Sequence, residues 1–126
     1  MAEPRLADPR RQTAEKRGRS GERLAAWWLR LKGYRIVARG VRTPVGEIDL
    51  VARRGRRLAL VEVKRRATLA AAAEAIRPQQ QARIARAAEA FLKRRPDLAG
   101  LTLGFDALLL APGCRPRHLT DASRRP

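Results

Sequence analysis

Apolar residues recur at helical spacing in the first part of the chain, and the pattern changes to strand-like runs further along. The helical pattern predicts a helix over residues 13–32, and Gly33 suits its end. The buried stripe of that helix is predicted to consist of Leu24, Trp27, Trp28 and Leu31.

Three strand-like segments follow the first helix. They lie at residues 34–42, 47–53 and 56–65 and consist largely of Ile, Leu, Val and Ala between charged positions. A Thr-Pro-Val-Gly sequence separates the first segment from the second, and Gly55 suits a tight turn before the third. The second and third segments therefore predict a β-hairpin.

The second half of the chain predicts a further helix and strand. Residues 67–76 are rich in Ala and predict part helix, part loop. A long helix is predicted from Pro78, which suits a first helical position, to about Arg95. Residues 101–110 are apolar on both faces, as in a buried strand, and residues 115–120 predict a short final strand. The apolar face of the long helix is predicted to consist of Ile84, Ala88, Phe91 and Leu92.

The order of elements predicts an α/β fold. A meander of three strands followed by a helical crossover gives a mixed central sheet with helices packed on its faces. The chain has 126 residues, which is enough for one hydrophobic core. We expect a disordered basic arm at residues 1–12, a single domain at residues 13–122 and a frayed tail at residues 123–126.

The charge of the chain indicates a polyanionic partner. Twenty-nine Lys and Arg residues against 12 Asp and Glu give a net charge of +17. Such a field favours nucleic acid, with DNA expected first and RNA as the alternative. The scarcity of aromatic residues argues against a single-strand binder that works by base stacking. On the second long helix, a basic face formed by Arg83, Arg86 and Lys93 is either solvated surface or a contact to a phosphate backbone.

Three charged residues in the predicted hairpin suggest chemistry. Side chains two apart on a strand share a face, so Glu62 and Lys64 point the same way, and Asp49 can lie beside Glu62 on the neighbouring strand. Two carboxylates there offer the hard oxygen ligands that Mg²⁺ or Mn²⁺ prefers. Lys64 could orient an attacking water or stabilise charge on a phosphate. The alternative is that Glu62 and Lys64 form an ordinary surface ion pair.

Other residues limit the choice of function. Cys114 is the single cysteine, which excludes an intramolecular disulfide and a cysteine metal cluster. His118 is the single histidine, and we interpret it as structural. No segment approaches the length of a membrane span, and the first 12 residues lack the apolar stretch of a signal peptide. We therefore expect a cytoplasmic protein that does not bind membranes.

The chain resembles a family of nuclease-like proteins. The α-β-β-β-α-β order with D…ExK is similar to the restriction-endonuclease-like PD-(D/E)xK nuclease core, and more closely the sequence resembles the YraN family, endonuclease-like bacterial proteins related to archaeal Holliday-junction resolvases. Five stretches carry this resemblance and together cover most of residues 20–122. They are GERLAAWWLRLKGYRIVARGVR, GEIDLVA, LALVEVKRR, QQQARIARAAEAFL and FDALLL.

The resemblance implies a role for each matching residue. Asp49 matches the metal-binding acid, Glu62 and Lys64 match the E-x-K pair, and Glu22 matches an acid that completes the metal site in resolvase-like proteins. Gln80 stands where the family commonly has Lys, so it would contact phosphate without a charge. Gly40 and Gly104 likewise replace a common Asn and Arg, which places accessory substrate contacts in doubt.

Two functions follow as hypotheses. The first is Mg²⁺- or Mn²⁺-dependent hydrolysis of structured DNA, with Asp49, Glu62 and Lys64 as catalytic residues and Glu22, Asp49 and Glu62 as metal ligands. The second is a nucleic-acid-binding module that has the nuclease fold without its activity. A basic RNA-binding assembly protein is a weaker third hypothesis, because carboxylates repel phosphates unless a metal bridges them. A homodimer would suit a two-fold symmetric junction.

Overall fold

The computed structural model describes residues 21–122, and its first element is a helix, α1, over residues 21–31. The predicted helix end is confirmed. The Tyr34 amide donates to the Leu29 carbonyl and the Gly33 amide to the Arg30 carbonyl, both at 3.0 Å, while Gly33 has a φ of 91°. This is the Schellman arrangement, for which glycine is the favoured residue. Residues 13–20, the predicted arm at 1–12 and the predicted tail at 123–126 lie outside the described residues.

A five-stranded mixed sheet forms the centre of the molecule. Its strands are β1 (Arg35–Thr43), β2 (Gly46–Arg54), β3 (Arg57–Arg65), β4 (Thr102–Leu110) and β5 (Arg117–Leu119), and their spatial order equals their order in the chain. The β3–β4 pair is parallel and the other pairs are antiparallel. The predicted mixed sheet, hairpin and short last strand are therefore confirmed.

Two helices form the crossover from β3 to β4. The first is α2, over Leu69–Glu74, and the Thr68 hydroxyl accepts a hydrogen bond from the Ala71 amide at its start. The second is α3, over Pro78–Lys93, which begins with proline as predicted. A 3₁₀ turn at Pro96–Leu98 then leads to β4. Within residues 21–122, no helix is both long and apolar enough to cross a membrane.

The helices cover opposite faces of the sheet. On β3, Ala59 and Val61 pack in a cluster with α1, whereas Leu58 and Leu60 pack in a cluster with α3. This alternation is the normal consequence of strand geometry. Glu62 follows Leu60 by two positions and therefore belongs to the α3 face. The predicted restriction-endonuclease-like order α-β-β-β-α-β is present in this layered arrangement.

The predicted buried stripe of α1 is wrong. Leu24, Trp27 and Leu31 are 47%, 59% and 62% exposed, and Trp28 is only partly buried. The residues that contact the sheet are smaller. They are Ala25, Ala26 and Leu29, which are fully buried. Alanines let the helix axis approach the sheet closely, so the bulkier stripe of the same helix faces outward.

A polar network surrounds Asp106 in the middle of β4 and includes Arg57 at the start of β3. Asp106 has a fully buried side chain and accepts two hydrogen bonds from the Arg57 guanidinium, at 2.8 and 2.6 Å. His118 Nε2 lies 2.7 Å from the same carboxylate, and the Asp121 amide donates to it at 3.0 Å. These interactions hold the pKa of Asp106 well below its usual range, against the effect of burial.

The lone histidine is part of this network. Its side chain is only 2% exposed, and its ring meets the Tyr34 ring edge to face at 5.8 Å. Nδ1 of His118 lies 2.6 Å from the Lys32 ammonium, just beyond α1. The ring therefore joins the end of α1 to β4 and β5, which is the structural interpretation that the sequence favoured.

Gly104 is explained by the same network. A Cβ atom at this position would collide with the Arg57 guanidinium, which is held in place by Asp106. The absence of a side chain at Gly104 thus makes room for Arg57. Gly40, the other unexpected glycine, has a φ of 53°, a conformation that L side chains rarely adopt.

We expect Asp106→Asn to destabilise the protein by about 2–4 kcal/mol, because a buried ion pair that loses one charge leaves the other uncompensated. The ion pair contributes stability above the ordinary aspartate pKa of 3.8, and this contribution is lost as the pH falls toward the lower folded-state pKa. Urea unfolding at pH 7 and pH 3 would show the difference between the two proteins narrowing at acid pH.

The matched control is Asp97→Asn. Asp97 also binds an arginine through two hydrogen bonds, at 2.9 Å each to Arg95, but both side chains are exposed. Exposed pairs contribute little, so this variant should unfold like the parent. Equal losses in the two variants would contradict the role given to the buried network.

Candidate active site

The register of the central hairpin determines which charged side chains meet. Leu50 of β2 pairs with Val61 of β3, so the next position along each strand brings Asp49 beside Glu62. The Val63 amide donates to Oδ2 of Asp49 at 2.8 Å, which fixes this carboxylate against β3. Oδ1 accepts no hydrogen bond from residues 21–122 and stays available for a ligand. The predicted juxtaposition of Asp49 and Glu62 is therefore present.

The Glu62 carboxylate is held from two sides. The Lys64 ammonium lies 3.0 Å from its Oε1, and the two side chains are only 16% and 11% exposed. With the Gln80 amide assigned so that its nitrogen faces these acceptors, it donates to the same Oε1 at 3.0 Å and to the Ala75 carbonyl at 3.2 Å. Glu62 and Lys64 thus form an ion pair, as in the alternative interpretation of the sequence. The pair is not on the open surface, however, because both side chains are largely buried beneath α3.

These side chains line one small pocket. It has a volume of about 230 Å³ and lies between the β2–β3 hairpin and the first turns of α3. The predicted residues in its wall are Asp49, Glu62, Lys64, Gln80 and Arg83. Gly46, Glu47 and Ile84 complete the lining.

Glu47 is a member of the acidic group that the sequence analysis did not select. It lines the pocket and raises the pKa values of both Asp49 and Glu22. The available signal was its position two residues before Asp49, which puts both carboxylates on one face of β2.

Burial and repulsion both act on Asp49. Burial raises its pKa above 3.8, and the neighbouring Glu62 and Glu47 raise it further, while the Val63 amide and Lys64 act in the opposite direction. The ionised carboxylate is therefore less stable in this folded structure than in water. A bound cation would relieve this penalty.

Glu22 lies near the group without lining the pocket. It is on α1, which packs on the sheet face opposite to α3. Burial raises the pKa of Glu22, and electrostatic repulsion by Asp49 and Glu47 raises it further. Glu22 is therefore close enough to interact with both carboxylates. Within residues 21–122, however, no three His, Cys, Asp or Glu side chains are close enough together to form a ready-made metal site.

The remaining predicted contact residues extend along α3. Arg83 belongs to the acidic pocket, whereas Arg86 and Lys93 line a second and larger groove beside the β1–β2 turn. All three side chains are exposed. The basic face of α3 therefore runs from the acidic pocket to the second groove.

Sequence comparisons identify related proteins. The family model described as Uncharacterised protein family UPF0102 matches residues 21–110. A UPF0102 protein of Paramagnetospirillum magneticum is 55% identical over 117 residues, which cover 90% of this chain and 91% of the relative. One from Parvibaculum lavamentivorans is 58% identical over 107 residues, with coverage of 85% and 80%.

A third relative extends the agreement over more of the chain. The UPF0102 protein of Rhodopseudomonas palustris is 56% identical over 119 residues, which cover 94% of this chain and 88% of the relative. The matched family region, residues 21–110, includes the whole acidic pocket and α3. The YraN-like resemblance found in the sequence is thereby confirmed, and the chain belongs to the UPF0102 family.

Proposed function

We propose that this protein is a metal-dependent nuclease that hydrolyses phosphodiester bonds in structured DNA. One observation carries the proposal. Two carboxylates and a lysine, Asp49, Glu62 and Lys64, meet in one pocket whose rim includes Arg83. These acids would repel DNA on their own, yet they lie beside the basic face of a strongly cationic chain. This combination fits a site where a metal cation bridges the protein carboxylates and a phosphate of the substrate.

The donor set suits Mg²⁺ or Mn²⁺. These hard cations take oxygen ligands, and Mg²⁺ is commonly held by one or two carboxylates, with waters and substrate phosphates completing its coordination. Asp49 and Glu62 meet that requirement without a third acid. Glu22 and Glu47 would add negative potential around the ion. A divalent cation held there would supply Lewis acidity toward a phosphoryl oxygen and favour the ionised form of water.

The protein's own residues would do the positioning. The Val63 amide holds Asp49 in one orientation, so little reorganisation is needed when it acts. Lys64 lies 3.0 Å from Glu62 and would orient the attacking water and stabilise developing charge. Arg83 would bind the phosphate at the rim of the pocket, and Gln80 would keep Glu62 in place rather than contact the substrate.

A second candidate function is a nucleic-acid-binding module without cleavage activity. The observation that favours it is the state of Glu62, whose Oε1 lies within 3.0 Å of both Lys64 and Gln80. A carboxylate so engaged is less available to a metal. In this function the pocket would be a structural ion-pair site, and binding would depend on the basic face of α3.

Cellular location and assembly are part of the same proposal. The expected location is the cytoplasm, where nucleic acid is present and the exposed Cys114 thiol would stay reduced. A homodimer would suit a two-fold symmetric junction as substrate.

A cleavage assay separates the two functions. Labelled four-way junctions, flaps, plain duplex, single-stranded DNA and structured RNA are incubated with the protein and Mg²⁺ or Mn²⁺. We expect cleavage of a structured DNA by the parent and a loss of about 10²-fold or more in two variants. Glu62→Gln removes a charged ligand of the metal, and Lys64→Ala removes the group that would orient the water and stabilise developing charge.

The matched control for the assay is Glu74→Gln. Glu74 is an exposed acid on α2 and lies outside both the acidic pocket and the larger groove beside the β1–β2 turn. Its variant should cleave like the parent, which shows that the losses are not a general effect of charge. Binding by the parent with no cleavage of any substrate would contradict the nuclease proposal and favour the binding module.

We also expect Asp49→Asn to raise the melting temperature by a few degrees at pH 7 without divalent ions. A carboxyl with a raised folded-state pKa contributes stability below its unfolded pKa, and this contribution is lost as the pH rises through the folded value. The gain from Asn should therefore shrink as the pH is lowered toward 3.8, which thermal melts across this range would measure.

Metal addition gives the companion measurement. Mg²⁺ should raise the melting temperature of the parent more than that of Asp49→Asn, since binding to the folded state stabilises it by mass action. Glu74→Gln, which changes an exposed acid on α2, should respond like the parent. A parent melting temperature unchanged at saturating Mg²⁺ would count against the metal site.

A further inference from the structure

A groove larger than the acidic pocket lies beside it. It is formed between the β1–β2 turn and the second half of α3 and has a volume of about 690 Å³. This is within the range of about 300–1,000 Å³ that is typical of small-molecule sites.

The groove combines two kinds of surface. Pro44 and Val45 on the turn and Ala90 on the helix give it an apolar floor, and Val45 is 45% exposed. Four cations, from Arg42, Arg86, Lys93 and Arg94, stand around that floor. An apolar floor suits the face of a nucleobase, and the surrounding cations suit the phosphates on either side of it.

The turn and the helix are held together at this groove. The Arg94 guanidinium donates to the Arg42 carbonyl at 3.4 Å, and a Cβ atom at Gly46 would lie 3.5 Å from the Arg83 carbonyl. The two sides of the groove are therefore positioned in the folded protein, and no closing motion is needed to form it.

The groove is continuous with the acidic pocket. Val45 in the groove precedes Gly46 in the pocket, and Arg86 follows Arg83 by about one turn of α3. A nucleic-acid strand with one phosphate at Arg83 can therefore continue along α3 to Arg86 and Lys93. Neighbouring phosphates of one strand would then be bound by successive cations.

We propose that this groove binds an unpaired nucleotide of the strand whose neighbouring phosphate enters the acidic pocket. The inference rests on the proposed function and names its substrate class, which is nucleic acid with an unpaired nucleotide beside the bond to be cut. A paired base in a continuous duplex is stacked and cannot lie on Pro44 and Val45. Glu89 repels phosphate but can accept a hydrogen bond from a base amino group, so it favours a base at its side of the groove.

The test measures binding without divalent ions, so that cleavage does not enter. Two DNA duplexes carry 2-aminopurine, either as a single unpaired bulge or in a base pair, and an RNA–DNA hybrid with the same bulge shows whether the bulged strand must be DNA. Fluorescence anisotropy gives affinity and 2-aminopurine emission gives the environment of the base. We expect about fivefold tighter binding of the bulged duplex, the factor that burial of roughly 40 Å² of apolar surface would supply, together with a change in emission.

Two matched variants assign the effect to the groove. Val45→Asp puts a charge on the floor, and Leu103→Asp puts the same charge on an apolar residue that is similarly exposed, 41% against 45%, but lies on β4. The preference for the bulge should disappear in Val45→Asp and persist in Leu103→Asp. Ala90→Glu, on the helix side of the floor, is a second variant that should also remove the preference.

The outcomes separate this inference from the nuclease proposal. Equal affinity for bulged and paired duplexes, or an equal loss of preference in Val45→Asp and Leu103→Asp, would overturn the nucleotide site even if the protein cleaves DNA. A preference that Val45→Asp removes, in a protein that never cleaves, would support the nucleotide site and contradict hydrolysis.

Discussion

The register of one antiparallel strand pair decides where the chemistry of this protein can occur. Pairing of Leu50 with Val61 places Asp49 beside Glu62, and a shift by one residue would turn one of these carboxylates to the other face of the sheet. The apolar residues of the same two strands pack against helices on both faces. The packing of the core therefore holds the acidic pocket together, although the acids themselves repel one another.

The two faces of the sheet surround buried carboxylates in opposite ways. Asp106 is surrounded by donors, and its pKa is lowered. Asp49 has one backbone donor and acidic neighbours, and its pKa is raised. The first environment contributes stability and the second reduces it. A protein keeps an arrangement of the second kind more readily where a ligand offsets its cost, which is the physical reason to look for function at Asp49.

Most of the fold could be predicted from the sequence, because strand runs, turn residues and a proline at the first position of α3 are local signals. The side of α1 that faces the sheet could not. Both stripes of that helix are apolar, and the choice depends on how closely the helix approaches its partner, which favoured Ala25 and Ala26 over Trp27. In the candidate site, strand alternation predicted that Asp49 and Glu62 would meet. The link from Gln80 to Glu62 depends on how α3 packs across the sheet, and no local pattern encodes it.

The missing side chain at Gly104 has a consequence for the evolution of the family. Arg57 occupies the volume that any larger residue at 104 would need, and Asp106 prevents the guanidinium from moving aside. A homologue with a side chain at position 104 must therefore supply the cation that pairs with Asp106 in another way. Its residue at position 57 would be shorter or would point in another direction. The two positions are expected to change together, as alternative ways to supply one buried aspartate with a cation.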